Sequence, residues 1–437
     1  MEINRYYRMR EDQVPSLLKR ATAKNNEAIS KSVFSIIDQV RKRGDDALLE
    51  LTKTFDSVTL SSLFYPPEAI KEEGELLDDS LKEAIGIAAK NITTFHQSQK
   101  INHQTIEVSP GVYCWQKSVP VEKVGLYIPG GTAPLFSTLL MLAIPAKLAG
   151  CSEIIVATPP QKDGRVDPAI LYAASLVGIG KILRVGGAQS IAAMAAGTES
   201  VPKVDKIFGP GNAFVTEAKQ QVTSLGCAID MPAGPSEVMV VIDKTSDPAF
   251  AAADMLSQNE HGNDSQSILI VIADDEHKGE EIADSVEQQM EIQLQSLSRK
   301  EYIQSSLGHS HIVVTCSNEE ALSIINAYAP EHLIIHTQDF SALESRIVNA
   351  GSVFLGEYSP ESAGDYASGT NHTLPTSGFA RSYSGISLLS FTKTISFQRL
   401  TSSGLKQLGP TIVEMAQYES LDAHAKAVII RLDRLGE

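Results

Sequence analysis

Glu331 and His332 stand side by side in YAPEHLII (328–335), where an apolar run that reads as a buried strand begins. Strand ends reach the surface, and surfaces carry charge. A carboxylate beside an imidazole at a strand's edge is also a way to build a base poised near neutral pH. A second group of residues offers metal donors. Gln258 and His261, in SQNEHG, lie three apart and share a face if the helix through AAADMLSQ continues that far. Asp365 sits in the polar, glycine-rich SPESAGDYASGTNHTLPT (359–376), a length of loop that inside compact domains is usually functional. His424, with Glu419 five residues earlier, adds a nitrogen and a carboxylate in the tail. Brought together, Gln258, His261, Asp365 and His424 would suit a nitrogen- and oxygen-ligated metal without thiolates. Spacing alone leaves that convergence open, and for a lone His261 a surface or core histidine is the plainer reading. His309 and His311 also have ligand spacing, but they flank a strand start with no third ligand nearby.

Three glycine-rich turns carry one further polar residue each: Tyr127 before PGGTAPL, Gln189 in VGGAQS and Asn212 in GPGNAF. No GxGxxG fingerprint occurs, and tight turns of this kind arise in any α/β protein. Three in succession, each with a polar side chain, favour a bound nucleotide. Cys114, Cys151, Cys227 and Cys316 are scattered without CxxC spacing, which indicates neither a disulfide framework nor a thiolate zinc site.

These residues need elements to hold them. Residues 27–55 and 66–97 have helical periodicity, as in Val33, Ile36, Ile37 and Val40. From about residue 123, short β-rich runs alternate with turns and helical stretches: KVGLYI, EIIVATPP, KILRVGGAQS and DKIFGPGNAFV. This is the signature of βαβ units and a parallel sheet, whose ligands bind at the strands' C-terminal ends. A second series, EVMVVID, QSILIVIAD, HIVVTC, HLIIHT and GSVFLGE, predicts a second sheet, and the tail from about 387 returns to helical periodicity. Adjacent residues of a regular strand face opposite ways, so a shared site for Glu331 and His332 predicts that both lie in irregular backbone before the strand proper.

A chain of 437 residues exceeds what one hydrophobic core usually serves. Its formal charge of −16 argues against nucleic acid and anionic membrane as partners and leaves a small molecule. The N-terminus lacks the apolar core of a signal peptide, and the stretch from Pro134 is broken by Pro145 and Lys147. A cytoplasmic location is expected, or an organelle if the chain has been processed.

GLYIPGGTAPL, GGAQSIAA, ESVPKVDKIFGPGNAFV, DMPAGPSEV, LSQNEHG, APEHLI and SPESAGDYASGTNH occur in order, and together they resemble the histidinol dehydrogenase family over residues 25–430. The resemblance implies a zinc-dependent, NAD-linked oxidation of L-histidinol to L-histidine through the aldehyde, the last step of histidine biosynthesis, in a homodimer. It implies Gln258, His261, Asp365 and His424 as zinc ligands, one ion per subunit. Substrate contacts would come from Ser236, Glu419, His332 and those four ligands, and Tyr127, Gln189 and Asn212 would line the NAD site. His332 would be the general base and Glu331 the activator of water. Ala196 and Asn259 depart from the family's usual residues, an aromatic one and a small apolar one. The expected architecture is α/β, with two incomplete Rossmann-like parallel-sheet domains plus small helical N- and C-terminal extensions. Residues 25–125 and 237–386 would form the catalytic and metal domain and 126–236 the NAD domain. Residues 1–24 would be a helical extension and 387–437 a dimer-forming helical tail. Two rival chemistries are aldehyde oxidation through a Cys114 or Cys151 thiohemiacetal and zinc hydrolysis without a nucleotide.

Overall fold

A computed structural model describes residues 3–20, 26–130, 134–232 and 234–436. In chain order its strands are β1 (Asn4–Tyr7), β2 (Ile106–Ser109), β3 (Val112–Pro120), β4 (Lys123–Tyr127), β5 (Glu153–Ala157), β6 (Ile182–Leu183) and β7 (Lys206–Phe208). They continue with β8 (Ala228–Ile229), β9 (Glu237–Ile242), β10 (Gln266–Ile272), β11 (His311–Thr315), β12 (His332–Ile335), β13 (Ser352–Leu355) and β14 (Thr392–Leu400). Every strand-like run of both sequence series became a strand. The first series forms a parallel sheet of order β6-β5-β4-β7-β8, and the second a parallel sheet of order β1-β11-β10-β9-β12-β13.

The apolar runs are continuous because both faces of each sheet are covered. In β9, Val238, Val240 and Ile242 enter a core with the helices Pro248–Asn259 and Glu276–Leu294, while Met239 and Val241 pack with the helix Asn318–Tyr328 on the other face. Each such fully buried side chain contributes about 1.5–3 kcal/mol. On β12, Leu333 and Ile335 face the second of these cores and Ile334 the first. The two-residue period therefore turns His332, like Ile334, toward the helix that carries Gln258.

The five-stranded sheet is sandwiched likewise. Val124 and Leu126 pack with the helices Phe136–Ala149 and Asp79–Gln97, whereas Tyr127 and Ile155 pack with Asn26–Phe55 and Gly187–Ala196. The N-terminal helices from residue 26 to 97 thus build the core of this sheet.

Several strands have no counterpart in the periodicity: β1, β8 and the three of an additional antiparallel sheet. The N-terminal segment supplies β1, an edge strand parallel to β11, as well as the short helical turns Glu11–Gln13 and Val14–Leu17. The tail opens with β14, which joins β3 and β2 in an antiparallel sheet before the helices Ser402–Tyr418 and Asp422–Gly436. Trp115 and Phe397, cross-strand partners there, stack at 5.4 Å.

Candidate active site

The helix Asn318–Tyr328 ends at Ala329, whose left-handed backbone (φ 55°) turns the chain through Pro330 into β12. Glu331 lies outside the strand, but His332 is its first ladder residue, paired with Val238 and Ser352. The expectation that both are in irregular backbone is therefore corrected: they straddle the boundary. The side chains still meet, Glu331 Oε2 lying 3.7 Å from His332 Nδ1, because Glu331 folds over the sheet's end. There it accepts a hydrogen bond from the Glu237 backbone N–H at 2.9 Å. His332 Nδ1 lies 3.2 Å from the Glu237 carbonyl oxygen.

Both groups are buried, at 6% and 4% exposure, so their ionisation is set by neighbours and not by water. Burial pushes the Glu331 carboxyl up to about 8, against the pull of His332. For His332 burial works against the charged ring, but Glu361, Glu331 and Asp365 outweigh it and raise the imidazole well above its ordinary value. The bland reading of a charged strand end fails, because this pair is inside the protein.

Facing them is a donor cluster. His261, Glu361 and Asp365 each offer a ligand atom, all within 4.8 Å of one another. His332 Nε2 is 3.7 Å from Asp365 Oδ1, and its Nδ1 is 4.0 Å from Glu361 Oε1. Burial pushes Asp365 up, but His332, His372 and His261 more than offset it and hold the carboxyl below its usual range. Protein crowding around His261 disfavours the imidazolium and lowers its pKa, so the ring presents a lone pair. Gln258, fully buried at the end of its helix, has both polar side-chain atoms without a hydrogen-bond partner among the described residues. Such a group costs about 1–3 kcal/mol unless something satisfies it. The donor set fits a divalent ion that takes nitrogen and oxygen ligands.

Glu361 was not singled out from the sequence. It stands four residues before Asp365 in the helix Glu361–Tyr366, so ExxxD spacing within the long polar loop was the available signal. His372 was missed as well. Its Nδ1 lies 2.8 Å from the Asp365 carbonyl oxygen and its Nε2 3.1 Å from Thr138 Oγ1, bracing the loop that carries Asp365. Asn259, next to Gln258, is fully buried, donates to Ser267 Oγ at 2.8 Å and lies 3.4 Å from Ser310 Oγ, so nearby hydroxyls satisfy the polar side chain.

This cluster lies where the strands of the six-stranded sheet begin: Ser236 precedes β9, His261 precedes β10, and Glu331 precedes β12. The rule that ligands sit at strand C-termini therefore does not describe this half of the molecule. Ser236 is half-buried, and its carbonyl accepts from Gln266 N at 3.1 Å. Glu419 and His424 are exposed, flanking the turn between the two tail helices. Within one chain, His424 does not join the donor cluster.

Tyr127, Gln189 and Asn212 do sit at the C-terminal edge of the five-stranded sheet, Tyr127 as the last residue of β4 and the other two after β6 and β7. Sheet order reverses between β4 and β7, which makes the crevice there a topological switch point. The Tyr127 hydroxyl accepts from Gly187 N at 3.1 Å, and burial raises the phenol to about 12. Asn212 caps the helix Ala213–Val222, its Oδ1 accepting from Phe214 N and Val215 N. Gly209 (φ 123°) passes so close to the Tyr127 carbonyl that a Cβ would collide with it. Ala196 closes the helix Gly187–Ala196 at the end away from the turn that carries Gln189.

The remaining candidates fall to packing. Cys151 is buried, and burial raises its thiol to about 11, the opposite of an activated nucleophile. Cys114 is half-buried, the third residue of β3. His311 is a core residue of β11 and belongs to no donor cluster among the described residues.

A sequence model of the family described as histidinol dehydrogenase matches residues 18–432. A relative from Bacteroides thetaiotaomicron named histidinol dehydrogenase is 54% identical over 424 residues, 97% of this chain and 97% of its own length. One of the same name from Photobacterium profundum is 50% identical over 427 residues, 97% of this chain and 94% of its own. The crystal structure of histidinol dehydrogenase from Elizabethkingia anophelis aligns with a TM-score of 0.95 at 48% identity, covering 100% of this chain and 99% of that one.

Proposed function

The chain belongs to the histidinol dehydrogenase family, and from that premise we propose that it oxidises L-histidinol to L-histidine in two NAD-dependent steps, using zinc, as the closing step of histidine biosynthesis. The observation that carries the reading is the buried Glu331–His332 pair set against the donors of His261, Asp365 and Gln258.

Zinc would be held by Gln258, His261, Asp365 and the partner subunit's His424, where it would bind the substrate's imidazole and amino group and so orient the carbinol. NAD, lodged along Tyr127, Gln189 and Asn212, would accept the hydride. The chain's own residues supply the rest. In its neutral form His332 directs the Nδ1 proton at the Glu237 carbonyl, which can only accept. Nε2 is thereby left as the base that would take the carbinol proton. The aldehyde then needs water: Glu331 takes a proton as the water oxygen adds to the carbonyl carbon. The hydrate anion so formed would give up a second hydride and its remaining hydroxyl proton to become the carboxylate. Burial of both groups excludes bulk solvent, and it brings the Glu331 carboxyl up to about 8, within reach of neutral pH. Ser236 and the partner subunit's Glu419 would complete the substrate contacts. The active sites would be shared in a homodimer located in the cytoplasm.

The test is the appearance of reduced nicotinamide when histidinol is added, measured before chelation, after chelation and after zinc is restored. Two equivalents per histidinol, lost and regained with the metal, are expected. Activity that survives removal of all metal would overturn the zinc assignment.

A further inference from the structure

Catalysis of this kind needs Glu331 and His332 held still, and the hydrogen bonds that hold them converge on one residue. The Glu237 backbone N–H donates to Glu331 Oε2 at 2.9 Å, and its backbone carbonyl lies 3.2 Å from His332 Nδ1. The orientation of a single residue's backbone therefore sets the carboxylate of one group and the tautomer of the other.

The Glu237 side chain, whose charge also raises the neighbouring Glu331 carboxyl, is clamped. Arg20 meets it with a two-pronged bond, Nε to Oε1 at 2.7 Å and Nη2 to Oε2 at 2.9 Å. Glu237 is 3% exposed at its side chain and also accepts from the Ser377 N–H. Arg20 is fixed in turn. Its guanidinium lies 3.7 Å over the Tyr328 ring, and Nη2 donates to the Tyr328 carbonyl at 2.7 Å. Tyr328 is itself buried, its hydroxyl bonded to Gln266 Oε1. Nothing about stability requires such a device, since a buried ion pair is often no better than an apolar pair of the same volume. It does restrict geometry, because a bidentate, stacked guanidinium admits one arrangement.

We propose that Arg20 and Glu237 are positioning residues for the reaction, acting through the Glu237 backbone to hold Glu331 and to present Nε2 of His332. This rests on the function proposed above. It also gives the N-terminal segment, remote in sequence from every other site residue, a part in turnover.

The experiment uses the full-length, zinc-loaded enzyme with Arg20→Lys, which keeps the charge but loses the fork, and Glu237→Gln. Since a misplacement of about 1 Å can cost on the order of 100-fold in rate, kcat is expected to fall roughly 10- to 100-fold. Zinc content and KM for histidinol should stay near the parent's. Arg346→Ala, which breaks an exposed fork to Glu319, serves as the control and should change nothing. In a His332→Ala background Arg20→Lys should cost little more in the rate of alcohol oxidation, because the group it positions for that step is gone. A second readout is independent of turnover: with ¹⁵N-labelled histidine, the parent should show His332 protonated at Nδ1, and Arg20→Lys should show a mixture of tautomers. Parent-like kcat together with an unchanged tautomer overturns the proposal, as does a rate loss that multiplies in full on His332→Ala. A parent that makes no reduced nicotinamide from histidinol would sink the functional reading, while the tautomer measurement would still decide the positioning role.

Discussion

His332 Nε2 lies 3.7 Å from Asp365 Oδ1, so a nitrogen carried by β12 and a carboxylate carried by the loop after β13 face one another inside the protein. A base in that position acts on whatever Asp365 helps to hold. We expect His332→Ala to lower kcat by roughly 10²- to 10⁴-fold, the usual worth of a positioned base, with little change in histidinol affinity. Glu331→Gln should chiefly slow oxidation of supplied aldehyde. Steady-state rates on alcohol and aldehyde separate the two roles, and parent-like turnover in His332→Ala would remove it as the base.

Metal content tests the donor cluster directly. His261→Ala and Asp365→Ala should each lose zinc and activity together, by more than the ~10- to 100-fold in affinity that removing an outer-shell partner costs. Cys114→Ala and Cys151→Ala should keep both. Metal analysis after exhaustive dialysis is the measurement, and full occupancy in Asp365→Ala would show that this residue is no ligand.

His424 and Glu419 are exposed in the tail and apart from the donor cluster of their own chain. On the shared-site hypothesis, His332→Ala and His424→Ala proteins are each inactive alone. Random exchange of their subunits should restore about a quarter of the wild-type sites, because one site of each mixed dimer collects both defects and the other none. Mixed dimers that form but stay inactive would show that His424 works within its own chain.

Acid should find His311 early. Its ring is buried in β11 with neither nitrogen hydrogen-bonded among the described residues, and burial, with a smaller push from His309, lowers its pKa from 6.5 to about 4. The folded value is below the unfolded one, so the unfolded chain binds the extra proton. The contribution to stability is fully present above pH 6.5 and is lost as pH falls through 4. His311→Phe should flatten that part of the stability curve, read as urea midpoints across the window. An identical acid slope in the variant would mean that other groups, such as the buried His96, dominate.

Much of the fold could be read directly from the residue order. Parallel strands buried on both faces need uninterrupted apolar runs, and those runs, punctuated by glycine and proline, marked β4 to β7 and β9 to β13. The motifs around them were long enough to indicate the family. Strands whose pairing partners lie far away left no such mark. β1 is short and polar because only its pairing with β11 makes it a strand, and β14 is mostly exposed, with cross-strand partners nearly three hundred residues earlier.

The same division runs through the site. Glu331, His332, Gln258, His261 and Asp365 stood out because titratable or polar groups interrupted apolar or glycine-rich patterns. Glu361, the Glu237 backbone and the Arg20 clamp carried no such contrast. Spacing along a chain governs only neighbours within a turn of helix or a step of strand. Arg20 and Glu237 are 217 positions apart, and their contact exists only because the six-stranded sheet brings the start of β9 beneath the N-terminal segment. Tertiary packing alone decided that the donors meet where strands begin, and that the base beside them is shielded from water.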